Sequence, residues 1–166
     1  MLTKLFALTS VLAALAAAAP LAPGESYIGK FIPLYSGATP PDTPRMCMAV
    51  SENNVQNELP VVIAECDQSK KQQWQFQGFS GNLFAVGFEK HCLDAGDSPS
   101  DGSKLQLREC ALIPQQTWTP NGESTFKLSE TDLCIDLTDG NVADGTQLQV
   151  WTCDYRNVNQ QWRTPS

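Results

Sequence analysis

Gln72-Gln73-Trp74, Gln116-Thr117-Trp118 and Gln160-Gln161-Trp162 are one triplet written three times, with successive tryptophans 44 and 44 residues apart. The six cysteines fall into the same frame. Cys47 and Cys66 are separated by 19 residues, Cys92 and Cys110 by 18, and Cys134 and Cys153 by 19. The second cysteine of each pair precedes its tryptophan by 8, 8 and 9 residues. A period of this size marks a repeat architecture, in which each unit buries its apolar face only against its neighbours. A duplicated unit should keep its bridge within itself, so the repeat predicts Cys47–Cys66, Cys92–Cys110 and Cys134–Cys153. Each bridge closes a loop of about twenty residues, worth about 3 kcal/mol in the chain-entropy account. Zinc, the other common use of clustered cysteines, lacks its parts: there is no Cys-x-x-Cys, and His91 is the only histidine.

Within each unit the pattern predicts four short strands. In the third, Thr125-Phe126-Lys127-Leu128 opens the repeat and Leu133 to Leu137 follows with in/out alternation. Asp139-Gly140 and Asp144-Gly145 then punctuate a loop before Gln147 to Cys153 alternates again. Three units of four strands suit threefold closure into an all-β β-trefoil better than a propeller, which usually needs about four blades. The expected repeats run over about residues 27–79, 80–122 and 123–166. Trp74, Trp118 and Trp162 are then core residues at equivalent positions, not ligand contacts.

The rest of the chain fits an exported domain. Lys4 precedes an uncharged run from Leu5 to Ala19, and Ala17-Ala18-Ala19 offers small residues for cleavage. Residues 1–19 are therefore expected to be a signal peptide, with 20–26 a short linker; cleavage after Ala18 or Ala22 would spare Pro20 the first mature position. The run is shorter than the ~20 residues of a membrane span, so no span is expected. An even cysteine count in an oxidising, extracellular compartment favours disulfides. The 166 residues support one compact domain with a real core. With 18 acidic residues against 11 basic, the formal charge is −7, and removal of Lys4 makes it −8. Such a chain lacks the basic surface that nucleic acid requires, which excludes that class of partner.

The third unit resembles the ricin B-chain family of β-trefoil lectins. It reads Cys134-Ile135-Asp136-Leu137, Asp144-Gly145, Gln149-Val150-Trp151-Thr152-Cys153 and Asn159-Gln160-Gln161-Trp162, and every signature position of that family is present. The resemblance extends over about residues 27–166 and fits a small, secreted, single-domain member, the form expected of a fungal source. It implies a sugar-binding site made of Asp136, Gln149, Trp151, Asn159 and Gln160. In the family, the residue matching Asp136 binds the two hydroxyls that distinguish galactose from glucose, and the one matching Gln160 supports it. The chemistry agrees. An indole covers the C–H face of a pyranose, a carboxylate accepts two hydroxyl hydrogens, and amides both donate and accept. An isolated Asp and Trp would read as a turn cap and a space-filler; the five together favour a site.

The other units depart from the pattern. The second keeps Asp94, Gln106 and Gln116, but Arg108 replaces the stacking aromatic and Gln115 the asparagine, so it is expected to be weak or silent. Arg108 could still serve a larger or acidic glycan. The first has Ala49, Val62, Ala64 and Lys71 at the aspartate, glutamine, aromatic and asparagine positions, and keeps only framework residues.

Catalysis lacks its parts. No free cysteine, no Gly-x-Ser-x-Gly elbow and one histidine leave nothing for a nucleophilic mechanism. The acidic residues Asp94, Asp97 and Asp101, and Asp136, Asp139 and Asp144, recur at equivalent turns, where Asp satisfies local backbone donors. The expected protein is thus a binding protein, not an enzyme, needing no cofactor and no metal. Its expected partners are glycans containing galactose or N-acetylgalactosamine, with a plant cell-wall polysaccharide of xylan type as the alternative. One site per chain would reach only about millimolar affinity for a monosaccharide, so avidity would need clustering or an oligomer. A rival reading, a β-trefoil protease inhibitor, would place specificity in an exposed loop such as Gly37 to Pro44 or Ser98 to Ser103.

Overall fold

The computed structural model describes residues 26–33, 44–54, 57–77, 80–122 and 124–163. The expected signal peptide, linker residues 20–25 and loop positions 37–43 lie outside these residues. The first repeat contributes β1 (Ser26–Gly29), β2 (Ile32–Pro33), β3 (Met46–Val50), β4 (Leu59–Glu65) and β5 (Trp74–Gln77). The second contributes β6 (Leu83–Ala85), β7 (His91–Asp94), β8 (Gln106–Glu109) and β9 (Trp118–Asn121). The third contributes β10 (Thr125–Leu128), β11 (Leu133–Asp136), β12 (Gln149–Thr152) and β13 (Trp162–Arg163). Twelve of these are the four strands per repeat that the period predicts. β1 is additional and pairs along β5, beginning one residue ahead of the expected repeat boundary.

Closure is visible in the pairing. Each tryptophan strand leaves its own repeat and pairs with the opening strand of the next: Trp74 lies opposite Ala85, Trp118 opposite Leu128, and Trp162 opposite Pro33. The last pairing returns to the start of the chain, so the ring has three joints of one kind. A second ring runs through the core. Val61 N donates to Leu105 O (3.0 Å), Leu105 N to Leu148 O (2.9 Å), and Leu148 N to Val61 O (2.9 Å). All three residues are fully buried, and their backbone groups, which could not be left unpaired there, satisfy one another around the pseudo-threefold. This ring explains why β12 starts at Gln149 and not at Gln147. Thr146 O and Leu148 N are turned toward β4 of the first repeat instead of continuing the third repeat's ladder.

The predicted bridges are all formed, with Cα–Cα separations of 5.1, 5.0 and 5.0 Å, within the range a disulfide spans without distortion. Trp74, Trp118 and Trp162 are buried, and each indole N–H donates at 3.1 Å to the carbonyl just after the first cysteine of its repeat: Met48, Leu93 and Ile135. The glutamines two positions earlier end single 3-10 turns and are also buried. Their Oε1 accepts from the backbone N–H of Asp67, Ala111 and Asp154, and their Nε2 donates to the carbonyls of Glu65, Glu109 and Thr152. The Gln-x-Trp triplet thus ties both cysteine segments of its own repeat into place. Around these anchors Met48, Ile63, Phe76, Leu93, Leu107, Ile135 and their neighbours form one continuous apolar core.

Candidate functional site

Antiparallel pairing decides which side chains meet. Register sets Asp136 of β11 opposite Gln149 of β12, and Cys134 opposite Trp151. With a period of two along each strand, Asp136 faces its amide partner across the ladder and Trp151 shares the face of Gln149 two residues on. Gln149 Nε2 donates to Asp136 Oδ1 at 2.9 Å. Trp151 is 43% exposed, in contrast to the three buried tryptophans of the core. An exposed indole beside a hydrogen-bonded carboxylate is what a sugar's apolar face and hydroxyl rim require.

The asparagine contribution differs from the sequence expectation in one respect. Asn157 Nδ2, not an Asn159 side-chain atom, donates to Asp136 Oδ2 (3.2 Å). Asn157 also accepts from Asn159 N through Oδ1 (3.0 Å), which caps the turn at Val158–Gln160. Asn159 accepts from Leu137 N through its carbonyl, and its side chain lies against Gly140, where an added Cβ would stand 3.0 Å from Asn159 Oδ1. Gly140 also has φ +65, so two constraints favour glycine there. Asn157 was missed in the sequence, where its one local signal is that asparagine favours turn caps; that its other end reaches Asp136 depends on how the turn packs. Gln160 holds the cysteine segment through Asp154 N and Thr152 O.

Asp136 is 3% exposed. Burial raises its carboxyl above the ordinary aspartate value of 3.8, with hydrogen bonds from Gln149, Gln160 and Asn157 opposing and the nearby Asp139 charge adding to the rise. The folded state therefore binds this proton more readily than the unfolded chain. For this group alone, stability falls as the pH rises from the unfolded to the folded pKa. A ligand that needs the charged carboxylate is expected to dissociate on acidification at a pH above 3.8, and a binding titration from about pH 7 to about pH 3 checks this.

The second repeat builds one wall of this site. Asp101 Oδ1 accepts from Thr152 N (2.5 Å) and from Thr152 Oγ1 (2.9 Å), and Gly102 N donates to Val150 O (2.9 Å). Gly102 lies under the indole: a Cβ added there would stand 3.8 Å from Trp151 Cζ3. Two residues on, Lys104 Nζ donates to Gln149 Oε1 (3.1 Å) and to Thr138 Oγ1 (2.9 Å). Lys104 carries no motif, and only the bridge between Lys104 and Gln149 across the repeat boundary brings it here. The segment from Ser98 to Ser103, one loop offered by the inhibitor reading, is thus fastened to the third repeat. The same turn recurs elsewhere: Asp144 accepts from Glu65 N and Asn57 from Glu109 N, in keeping with a structural role for the recurring turn acids.

In the second repeat the equivalent space is taken. Asp94, fully buried, accepts from Gly96 N (2.7 Å), Gln106 Nε2 (3.2 Å) and Gln116 Nε2 (2.9 Å). Arg108, opposite Cys92, bonds to Asp97 (2.9 Å) and Glu58 (3.1 Å) and approaches Asp94 at 3.9 Å. Glu58 has φ 66 and occupies the turn position that Gly102 and Gly145 fill in the other repeats. The guanidinium is thereby engaged by the chain's own carboxylates, at the position where the sequence suggested a contact with a larger or acidic glycan. Gln115 contributes its carbonyl to Ala95 N. The first repeat presents the opposite picture, an open groove of about 880 Å³ lined by Val62, Ala64, Lys71, Val142 and Gln147 among others. Small apolar side chains leave a hollow where carboxylate, amide and indole would stand. Only the third repeat brings the full set together.

A closed threefold ring of disulfide-stapled hairpins carrying such a site defines a β-trefoil of the lectin class. The chain belongs to the family of the ricin-type beta-trefoil lectin domain, whose model matches residues 40–162. No curated protein matches the sequence. Among solved structures, the designed threefold-symmetric protein ThreeFoil is similar with a TM-score of 0.71 at 18% identity, covering 84% of this chain and 98% of that one. The C-half of the earthworm R-type lectin, solved with GalNAc, gives 0.64 at 12% identity, with 84% and 98% covered. The Macrolepiota procera ricin B-like lectin, solved with lactose, gives 0.60 at 17% identity, with 88% and 98% covered. At these identities the likeness is one of fold. Among the described residues no helix is long and apolar enough to cross a membrane, and no group of acidic, histidine and cysteine residues could hold a metal ion.

Proposed function

We propose that the protein is a secreted lectin that binds galactose-type sugars through the third-repeat site and catalyses no reaction. The observation that carries this reading is the coincidence, in one repeat alone, of the exposed Trp151 with the amide-braced Asp136. Asp136 would accept two vicinal hydroxyls, Trp151 would cover the sugar's C–H face, and Gln149 and Asn157 would hold the carboxylate in place. Asn159, whose side chain lies beside Gly140, would add a further amide. Export rests on the leader-like residues 1–19 and agrees with three disulfides. Two of the structural neighbours were solved with GalNAc and with lactose, which is consistent with this ligand class.

The test is a titration of the mature protein with galactosides, read by calorimetry. One site per chain is expected. Trp151→Ala should weaken binding about tenfold, the loss of one stacked aromatic face, with little change in melting temperature because the indole is already half in water. A second stoichiometric site, or binding indifferent to Trp151, would overturn the reading.

A further inference from the structure

The third-repeat site contains a cation that the galactose reading does not use. Lys104 comes from the second repeat, and its ammonium is fastened to two neutral oxygens, Thr138 Oγ1 and Gln149 Oε1. Thr138 Oγ1 gives its own hydrogen to Gln147 O, so it can only accept from Lys104. Gln149 Oε1 is likewise oriented, because the same amide's Nε2 is committed to Asp136 Oδ1. A continuous relay results, from the Lys104 ammonium through the Gln149 amide to the Asp136 carboxylate.

An ammonium has three hydrogens, and this one uses two. Among the described residues no carboxylate lies within ion-pair distance of Lys104, whereas Arg108, four residues further along in β8, is surrounded by three. Two cations of the second repeat thus differ: Arg108 is neutralised where it stands, while Lys104, which reaches the third-repeat site, has no carboxylate within ion-pair distance among the described residues. A flexible lysine free in solvent would contribute little, since ordering it costs what the pairing returns. Lys104 is already held in position by Thr138 and Gln149, so an incoming anion meets a preset donor.

We propose that Lys104 sets the specificity of the third-repeat site, making the preferred ligand a galactose-type sugar that bears an anionic oxygen group. The inference rests on the lectin reading above and deepens it. Sulfate and carboxylate share the required chemistry, so the experiment carries both: a neutral galactoside, a set of O-sulfated galactosides and a galacturonic-acid oligosaccharide. Each is titrated against wild type, Lys104→Met, Lys104→Arg and Asp136→Ala, at low and at physiological salt. The quantity read is the ratio of anionic to neutral affinity, which a merely structural role for Lys104 would not move.

Wild type is expected to prefer at least one anionic ligand by about three- to tenfold, the range of a partly exposed charge-assisted hydrogen bond. Lys104→Met should bring the ratio to about one, Lys104→Arg should retain it, and added salt should shrink it. Which ligand shows the preference distinguishes sulfate from carboxylate. Equal affinity of wild type for neutral and anionic ligands, or a preference that survives Lys104→Met, overturns the proposal. Asp136→Ala separates the two failures. If it abolishes binding while the ratio is one, only the role of Lys104 falls; if it leaves binding intact, the third-repeat site itself falls.

Discussion

Asp136→Ala is expected to abolish galactoside binding while the protein remains folded. The substitution removes two hydrogen bonds from sugar hydroxyls to a charged acceptor, each worth about 1.5–3 kcal/mol. A monosaccharide held at about millimolar affinity has only about 4 kcal/mol in total, so the residual affinity would lie beyond detection. The fold should tolerate the change, because removing a buried carboxylate also removes its desolvation penalty, which offsets the loss of partners for Gln149 and Asn157. Asp136→Asn sharpens the test: it keeps the volume and discards the charge, and should bind almost as poorly. Retention of the wild-type protein on immobilised galactoside, and flow-through of both variants with unchanged melting curves, is the expected result. Variants that are still retained would remove Asp136 from the site.

The largest effect on stability is expected at Trp118. Its side chain is fully buried, its indole N–H donates to Leu93 O at 3.1 Å, and its backbone exchanges hydrogen bonds with Gly81. Trp118→Ala would leave a large cavity at a joint between the second and third repeats and orphan the Leu93 carbonyl. The expected cost is about 3–5 kcal/mol, out of the roughly 5–15 kcal/mol available to a domain. The melting temperature should fall by on the order of ten degrees. Trp118→Phe should cost less, because most of the apolar volume is kept while the N–H donor is lost. Thermal melts of the two variants under non-reducing conditions check the order. A Trp118→Ala variant as stable as wild type would mean that the joint is not the anchor that its geometry implies.

Trp118 was visible in the sequence through periodicity, and Asp136 through the third repeat's resemblance to a lectin family. A framework residue must recur because each repeat solves the same packing problem, so three Gln-x-Trp triplets and three cysteine pairs disclose themselves by register. A functional residue stands out by the reverse argument. Asp136, Gln149 and Trp151 hold positions that the first repeat fills with Ala49, Val62 and Ala64 and is still able to fold. What a fold tolerates losing, it does not need for stability. The turn acids were also readable, because Asp101 and Asp144 occupy equivalent turns and cap equivalent strands.

Periodicity cannot report what happens between repeats. Nothing in the motif places Asn157 on Asp136, Glu58 on Arg108, or Lys104 on Gln149, since these partners are 21, 50 and 45 residues apart and meet only through pairing and closure. The state of Arg108 is the clearest case. In sequence it is a cation standing where an aromatic would be; in the folded chain Glu58, from a turn of the first repeat, has already claimed it. The sequence by itself determined the trefoil, its bridges and its tryptophan core, because local spacing repeated three times overdetermines them; the sugar-site set of the third repeat was an expectation carried by the family resemblance. Tertiary structure alone decided which charges are spent internally and which are left at the site, because counterions are chosen by distance in space and the ring closure sets those distances.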